Sequence, residues 1–401
     1  MRTGTPSQVR PPCRSSPSCP LRVSSTDSTA RGPTSAAARP AGTPPARTRV
    51  AARRPPAWPH SAGAESVTHM ASNRKVVSAA RSRMTRLARW GGRSTPISRV
   101  RPMDLPRIDA GLLDQWCSHH LGSRITAERF RSGRLSAVIG AVLADGREVV
   151  IKVREPAARL EGCFAVQSLL HASGYPAPEP ILAPTPLGRW TASVEALVEG
   201  GDELPSSGRD PRPFASALEA LVRTARPLAA GVDLEPKPSW NRWDHDEPGV
   251  WTTAEDVERP FHSVVGPDWL ERTGRAARER IACRQAPKVI GHGDWFRENF
   301  RWRGEELHVA YDWDSAIVET EAVIVGIVAT YVAPSVEESA AFLAAYQEVA
   351  GRRFERDELE VSWAAVLWLR GWKAKRQVVT GEPIRSLSED EAIRLSALAG
   401  L

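Results

Sequence analysis

The spacing of apolar and polar positions separates a first quarter without period from a remainder that is periodic almost throughout. Residues 1 to about 103 show neither the recurrence of an amphipathic helix nor the two-residue alternation of a strand. Periodicity begins near Asp104. Asp109 is placed to cap a short helix with Leu112, Leu113, Trp116, Cys117 and Leu121 on one face. The period then drops to two. Residues 129–143 and 147–153 alternate or run apolar, with the hairpin signal Asp145-Gly146 between them. Lys152 stands near the end of the second run. A helix is predicted over roughly 157–173, closed by Gly174 and then by Pro176 and Pro178. A β-rich stretch follows at about 180–199 and ends at Glu199-Gly200-Gly201.

Beyond the two glycines the pattern turns helical. Phe214, Leu218, Leu221 and Val222 make one apolar face. An acidic, tryptophan-containing loop runs from Trp240 to Glu247, and a helix over about 268–285 leads to the apolar run Lys288-Val289-Ile290. A second short apolar run ends at Asp312, and the runs before His292 and before Asp312 read as two strands paired with each other. Three more helical patterns lie near 321–333, 336–350 and 357–379. Leu359, Trp363, Val366, Leu367 and Leu369 mark the last as well buried. The order is a small sheet with one helix, a hinge, and a mostly helical lobe carrying one short hairpin. That is α+β organisation in two lobes, expected at 104–199 and 200–401.

Charge changes the view of the first quarter. The chain carries +7 overall, but residues 1–100 hold 18 Lys or Arg against 2 Asp or Glu, a local +16 that leaves the rest at −9. Residues 1–103, rich in Arg, Pro and Ser, have too little apolar surface to offset chain entropy and are expected to be disordered. As a basic tail the segment would bind nucleic acid only non-specifically. It also reads as a targeting sequence, although no apolar core follows Arg53-Arg54. The favoured reading is a linker or upstream sequence ahead of a later start, for which Met70, Met84 and Met103 are available. The cysteines, Cys13, Cys19, Cys117, Cys163 and Cys283, form no CxxC pair, which argues against a zinc site and a disulfide framework. No apolar run is long enough to span a bilayer. Cytoplasmic residence is the simplest reading.

The chemistry concentrates in Gly291-His292-Gly293-Asp294-Trp295-Phe296-Arg297-Glu298-Asn299, followed by Val309-Ala310-Tyr311-Asp312-Trp313-Asp314. Phosphoryl transfer needs a metal to neutralise phosphate charge, a cation on the inner phosphates and a carboxylate to orient the attacking hydroxyl. Magnesium takes oxygen ligands and draws only one or two from protein. Asn299 and Asp312 supply an amide oxygen and a carboxylate, while Asp294 is free to act as base. Asp294 as a mere helix cap, Asn299 as a turn residue and Asp312 as a strand end are weaker readings of the same spacing. Asp314 is either a supporting partner or a solvated acid.

This His-Gly-Asp, four residues, Asn, then apolar strand and Asp-Trp-Asp arrangement resembles the aminoglycoside phosphotransferase and choline kinase-like family, over about residues 125–375. The resemblance implies a bilobal protein-kinase-like fold with a small β-rich N-lobe and a larger, mostly helical C-lobe. It implies ATP and Mg2+ as cofactors, Asp294 as catalytic base, Asn299 and Asp312 as metal ligands, and His292 as a brace for the loop. Lys152 falls where the family carries its phosphate-binding lysine; the plainer reading is a strand-end lysine that snorkels to solvent. The loop around Ser132, Gly133 and Ser136 falls where the family places its phosphate-covering hairpin; a lone Ser-Gly is otherwise just a turn. Residues 194–199 match the hinge that would meet adenine. Two positions depart from the family pattern. The small-lobe helix glutamate that pairs with the lysine would fall near Cys163, and the available acid is Glu161, about 200° around the helix. Ile324 falls where an acid normally opens the helix after the metal-binding strand.

The expected partner is a small hydroxyl compound of the aminoglycoside, amino-sugar or amino-alcohol type. Trp243 beside Asp244, Asp246 and Glu247 suits a cation. The same loop reads, with slightly more weight, as an exposed acidic loop around a buried tryptophan. The alternative activity is that of a nucleotide-binding regulatory protein with little turnover.

Overall fold

The computed structural model describes residues 108–133, 135–205, 208–283 and 285–401. The tail expected to be disordered, residues 1–103, lies outside the described residues. Helix α1 (Ala110–Leu121) begins at Asp109, whose carboxylate accepts the Leu112 N–H at 2.8 Å, and ends at Gly122 in the left-handed conformation. Leu113, Trp116 and Cys117 are buried. Leu112, expected beside them, is 41% exposed. Leu113, Trp116 and Cys117, at i, i+3 and i+4, fill the narrow stripe that a short helix can lay on a sheet, and Leu112 sits at its margin, about 40° beyond Trp116 and about 100° from Leu113.

The sheet holds β1 (Ile125–Ser132), β2 (Ala137–Leu143), β3 (Glu148–Arg154), β4 (Pro180–Leu187) and β5 (Trp190–Ala196), in the antiparallel order β1-β2-β3-β5-β4. The apolar run 129–143 is therefore two strands folded back at Gly133. Strand β1 is an edge, and its Glu128, Arg129 and Arg131 stay in solvent, as suits an edge that must not pair further. The hairpin at Asp145-Gly146 forms as expected, with Gly146 at φ 87. Val149, Ile151, Val153, Ala192 and Val194 pack into one small core with Leu113, Trp116 and Cys117 of α1. Alternation then sends Val150, Lys152 and Arg154 to the opposite face, together with Ser193 and Glu195 of the neighbouring strand. Helix α2 (Arg159–Ala172) covers that opposite face.

The second lobe contains α3 (Arg212–Ala225), α4 (Asp268–Ala282), α5 (Glu321–Val332), α6 (Val336–Val349), α7 (Arg356–Thr380) and α8 (Glu389–Leu398). The positions of α3 to α7 agree with the periodic segments to within a few residues, the helix expected over 268–285 stopping at Ala282, while α8 lies where no helix was expected. Helix α7 is buried along most of its length and packs against α4, α5 and α8. A Cβ on Gly326 of α5 would lie 2.2 Å from the Ser362 carbonyl oxygen of α7, so these two helices meet backbone to backbone.

One pairing differs from expectation. The runs before His292 and before Asp312 are not partners. Strand β6 (Lys288–His292) pairs with β9 (Ala316–Thr320), and β7 (Phe300–Arg303) pairs with β8 (Glu306–Ala310). The β7–β8 hairpin closes at Gly304 over two residues, so its loop-closure cost is small and it claims the β8 edge. Strand β6 is left to the strand after Asp312. The two motif loops still converge, because the Tyr311 N–H donates to the Asn299 carbonyl at 2.7 Å and the Gly293 N–H to the Ser315 carbonyl at 2.8 Å. Among the described residues no helix is long and apolar enough to cross a membrane.

Candidate active site

His292 closes β6 inside a box of rings, 5.3 Å from Phe300 and 5.2 Å from Trp313. Its Nδ1 accepts the Asp294 N–H at 3.2 Å, so the ring proton sits on Nε2 and is donated to the Tyr311 carbonyl at 2.9 Å. Burial keeps this imidazole neutral by lowering its pKa. It braces the loop, as the sequence suggested. Gly293 is required by close approach, since a Cβ there would lie 2.5 Å from Asn241 Nδ2 and 2.7 Å from the Ser315 oxygen. Its own carbonyl accepts from Asn241 at 2.7 Å and from the Trp240 indole at 2.9 Å.

Asp294 follows, half-buried. Asn299 Nδ2 donates to its Oδ2 at 3.2 Å and to its carbonyl at 3.0 Å. Burial, helped by the charge of Asp312, holds the Asp294 carboxyl above the usual carboxylate range; His292 first, then Tyr331 and the charge of Lys373, oppose this. With its NH2 turned to Asp294, Asn299 keeps its oxygen for another partner.

Asp312 has φ 60 and ψ 51, the one non-glycine residue with positive φ among the described residues. Such strain survives only where the surroundings impose it, and here they do. Tyr311 is tied to Asn299, and Trp313 is buried with its indole N–H on the Ala310 carbonyl at 2.9 Å. The Asp312 carboxylate remains 42% exposed. One amide oxygen and one carboxylate, both hard donors, fit magnesium and leave most of its sphere to other ligands. Among the described residues no group of three or more His, Cys, Asp or Glu is arranged to hold a metal by itself.

Lys152 arrives from the other lobe. Its Nζ lies 3.3 Å from Glu195 Oε2 and 3.9 Å from Asp312 Oδ1, and the side chain is buried instead of snorkelling. Burial alone would lower its pKa, but the carboxylates of Glu195, Asp314 and Asp312 outweigh that and keep it raised and cationic. The partner considered for this lysine needs correcting. Glu161 is exposed in the first turn of α2. Helix α2 instead presents Gln167, whose Nε2 donates to Glu195 Oε2 at 2.9 Å and to the Pro178 carbonyl at 3.0 Å. The acid beside Lys152 comes from β5, and the helix supplies an amide. Cys163 faces the Asp314 carbonyl at 3.6 Å, its thiol pushed up to about 11 by burial. Asp314 itself is a partner and no solvated acid, with two 2.9 Å contacts to the Arg154 guanidinium.

Ser132, Gly133 and Ser136 form the tip of the β1–β2 hairpin. Val138 pairs with both Ser132 and Lys152, so the tip lies at the Lys152 end of the sheet. Gly133 has φ 122, and a Cβ there would lie 1.8 Å from the Ser136 oxygen, so the turn admits only glycine. In the 194–199 segment β5 ends at Ala196, after which the Val198 carbonyl accepts from the Tyr311 hydroxyl at 2.8 Å.

The acidic loop is already served by the chain's own cations. Lys237 is buried, 2.6 Å from Asp244 and 2.9 Å from Glu319, with its ammonium 5.0 Å from the centre of the Trp243 ring. Arg242 pairs with Glu247. Sequence reasoning missed Glu195, Gln167, Tyr331 and Lys373. The first had a faint signal, an acid on the face of β5 opposite Val194; Tyr331 sits in an apolar helix and Lys373 among other basic residues of α7, where nothing local marks them.

Residues 126–370 match the family model described as the phosphotransferase enzyme family. No curated protein matches the chain. Similar solved structures include an amicoumacin kinase, at 12% identity and TM-score 0.48, covering 68% of this chain and 86% of that one. Another is a choline/ethanolamine kinase family protein from Mesorhizobium loti, at 14% identity and TM-score 0.48, covering 72% and 95%. A third is a choline kinase from Streptococcus pneumoniae, at 12% identity and TM-score 0.44, covering 72% and 96%.

Proposed function

The chain belongs to the phosphotransferase enzyme family, and on that premise we propose that it moves the γ-phosphate of ATP to a hydroxyl of a small molecule. The observation that carries this is the convergence of Asp294, Asn299, Asp312 and Lys152, drawn from two lobes: Asn299 bonds Asp294, and Lys152 reaches to 3.9 Å from Asp312. The lobe at 104–199 is the nucleotide half and the lobe at 200–401 the acceptor half. Lys152, fixed by Glu195, meets the inner phosphates, and the tip formed by Ser132, Gly133 and Ser136 covers them. Magnesium, held by the Asn299 oxygen and the Asp312 carboxylate, supplies positive charge to the phosphates when bound. Asp294 accepts the proton of the acceptor hydroxyl as its oxygen bonds to the γ-phosphorus. The bond from that phosphorus to the bridging oxygen breaks, and ADP leaves with the electron pair. His292 and Asn299 keep Asp294 in place through hydrogen bonds to its backbone and carboxylate. The family resemblance points to aminoglycosides, amino sugars and amino alcohols as acceptors, a set that the surroundings of Asp294 narrow further. The Lys152–Glu195 pair supports this reading over that of a nucleotide-binding regulatory protein with little turnover.

The test is a pair of substitutions. Asp294→Ala should lower kcat by about 10²–10⁴-fold, the range for a lost general base, with binding of a non-hydrolysable ATP analogue kept. Asp312→Ala should weaken magnesium-nucleotide binding. Near-normal turnover in Asp294→Ala would overturn the mechanism.

A further inference from the structure

The acceptor side of Asp294 is furnished by residues that the catalytic motif does not contain. Tyr331, at the C-terminal end of α5, lies beside Asp294, whose charge adds to burial in raising the Tyr331 pKa. Phe296, 46% exposed in the catalytic loop, lies 6.4 Å from the Tyr331 ring in an edge-on arrangement. Lys373, from α7, holds its ammonium 4.0 Å from the centre of that same ring. Among the described residues Lys373 makes no ion pair within 4 Å, while Lys152, Lys237 and Lys375 all do.

An aromatic face beside a catalytic carboxylate is a natural seat for a substrate ammonium. Here the protein's own cation occupies the Tyr331 face. A second cation brought there would meet like charge in a partly desolvated site, where repulsion is screened far less than in water. An oxyanion would find an unspent ammonium instead, and a charge-assisted hydrogen bond to it is stronger than a neutral one.

We propose that the acceptor carries an oxyanion, a carboxylate or a phosphate, near its reactive hydroxyl, and that Lys373 binds this group and sets acceptor specificity. This rests on the phosphotransferase reading above. Any amine on the acceptor points away from Lys373, so bare amino alcohols are poor acceptors and hydroxy acids or phosphorylated polyols good ones.

The experiment measures ADP release by the full chain with MgATP, titrating glycerate and glycerol phosphate against serinol and ethanolamine. The wild type and Lys373→Met are compared, with Lys373→Arg to show that charge alone rescues. The two anions should alter Asp294-dependent ADP release, raising it as acceptors or lowering it as unreactive occupants, at concentrations at least tenfold below those of the amines. Lys373→Met should erase that preference with the KM for MgATP unchanged, and Lys373→Arg should restore it. The proposal is overturned if amines act at equal or lower concentrations, if neither class acts, or if the preference survives Lys373→Met. Failure of the underlying reading looks different: wild type and Asp294→Ala would then release ADP equally, whatever is added.

Discussion

Lys373 carries a further consequence at the level of the single residue. Burial pushes its ammonium down to about 8, with the charge of Asp294 resisting and that of Arg370 on the same helix assisting. The other group against it, Tyr331 on α5, stays protonated through this range, because burial raises its pKa well above 10. A lysine with a depressed pKa is cationic below that value and neutral above it. The acceptor KM is therefore expected to rise as pH climbs through about 8, while Lys373→Arg, which keeps its charge, should flatten the profile. KM measured at saturating MgATP across that interval checks this, and a flat wild-type profile would count against Lys373 as the acceptor's anchor. Asp312 makes a related point. A left-handed aspartate is rare, and its strain becomes understandable only when the residues holding it are known.

At the scale of elements, β3, β5 and α2 share one device. Lys152 needs a carboxylate, and the sheet itself provides it from β5, with Gln167 of α2 holding that carboxylate from behind. The lysine's orientation thus depends mainly on strands locked in register, and the helix contributes only a neutral hydrogen bond. Replacing Glu195 with Gln removes one partner from a buried ion pair, a loss of about 3–5 kcal/mol in stability by the usual range. Nucleotide affinity should weaken with it. Moving the acid to the helix, in the double variant Glu195→Gln with Gln167→Glu, should recover much of both. Chemical denaturation and nucleotide titration measure the two quantities, and a double variant no better than Glu195→Gln would show that strand placement is indispensable. Glu161→Ala should change neither.

The whole molecule works by bringing two lobes onto one segment. Arg154 of β3 grips Asp314, Arg159 of α2 donates to the Ala316 carbonyl, and Cys163 faces the Asp314 carbonyl. All three hold the stretch just after Asp312, so the nucleotide half and the metal-binding loop are registered by contacts from a strand and a helix of the other lobe. Arg154→Ala leaves Asp314 unpaired at this joint. MgATP affinity is expected to fall about tenfold, which would reduce the thermal stabilisation by saturating nucleotide by about 1.4 kcal/mol. An unaltered nucleotide-induced shift in melting temperature would show that the lobes are held by other contacts.

The amino-acid sequence by itself determined the elements and the motif. Helices α1 to α7 and the β2–β3 hairpin follow from local periodicity and turn residues, which depend on neighbours in the chain. Asp294, Asn299 and Asp312 stood out because their spacing along the chain is itself the signal, Lys152 only through its strand-end place and the family resemblance, and the structure brings these four together. Tertiary structure alone decided which strand edges meet, which acid serves Lys152, and which cation lies on Trp243. A strand pairs with whatever edge remains after the cheapest loop has closed, as β6 did once β7 had taken β8. A buried charge takes whichever opposite charge the fold brings within a few ångströms, from any distance in sequence. Glu195 carries only a faint local mark of its role, and Lys237 and Lys373 none, for that reason; their meaning comes from side chains 43, 6 and 42 positions away, at Lys152, Trp243 and Tyr331.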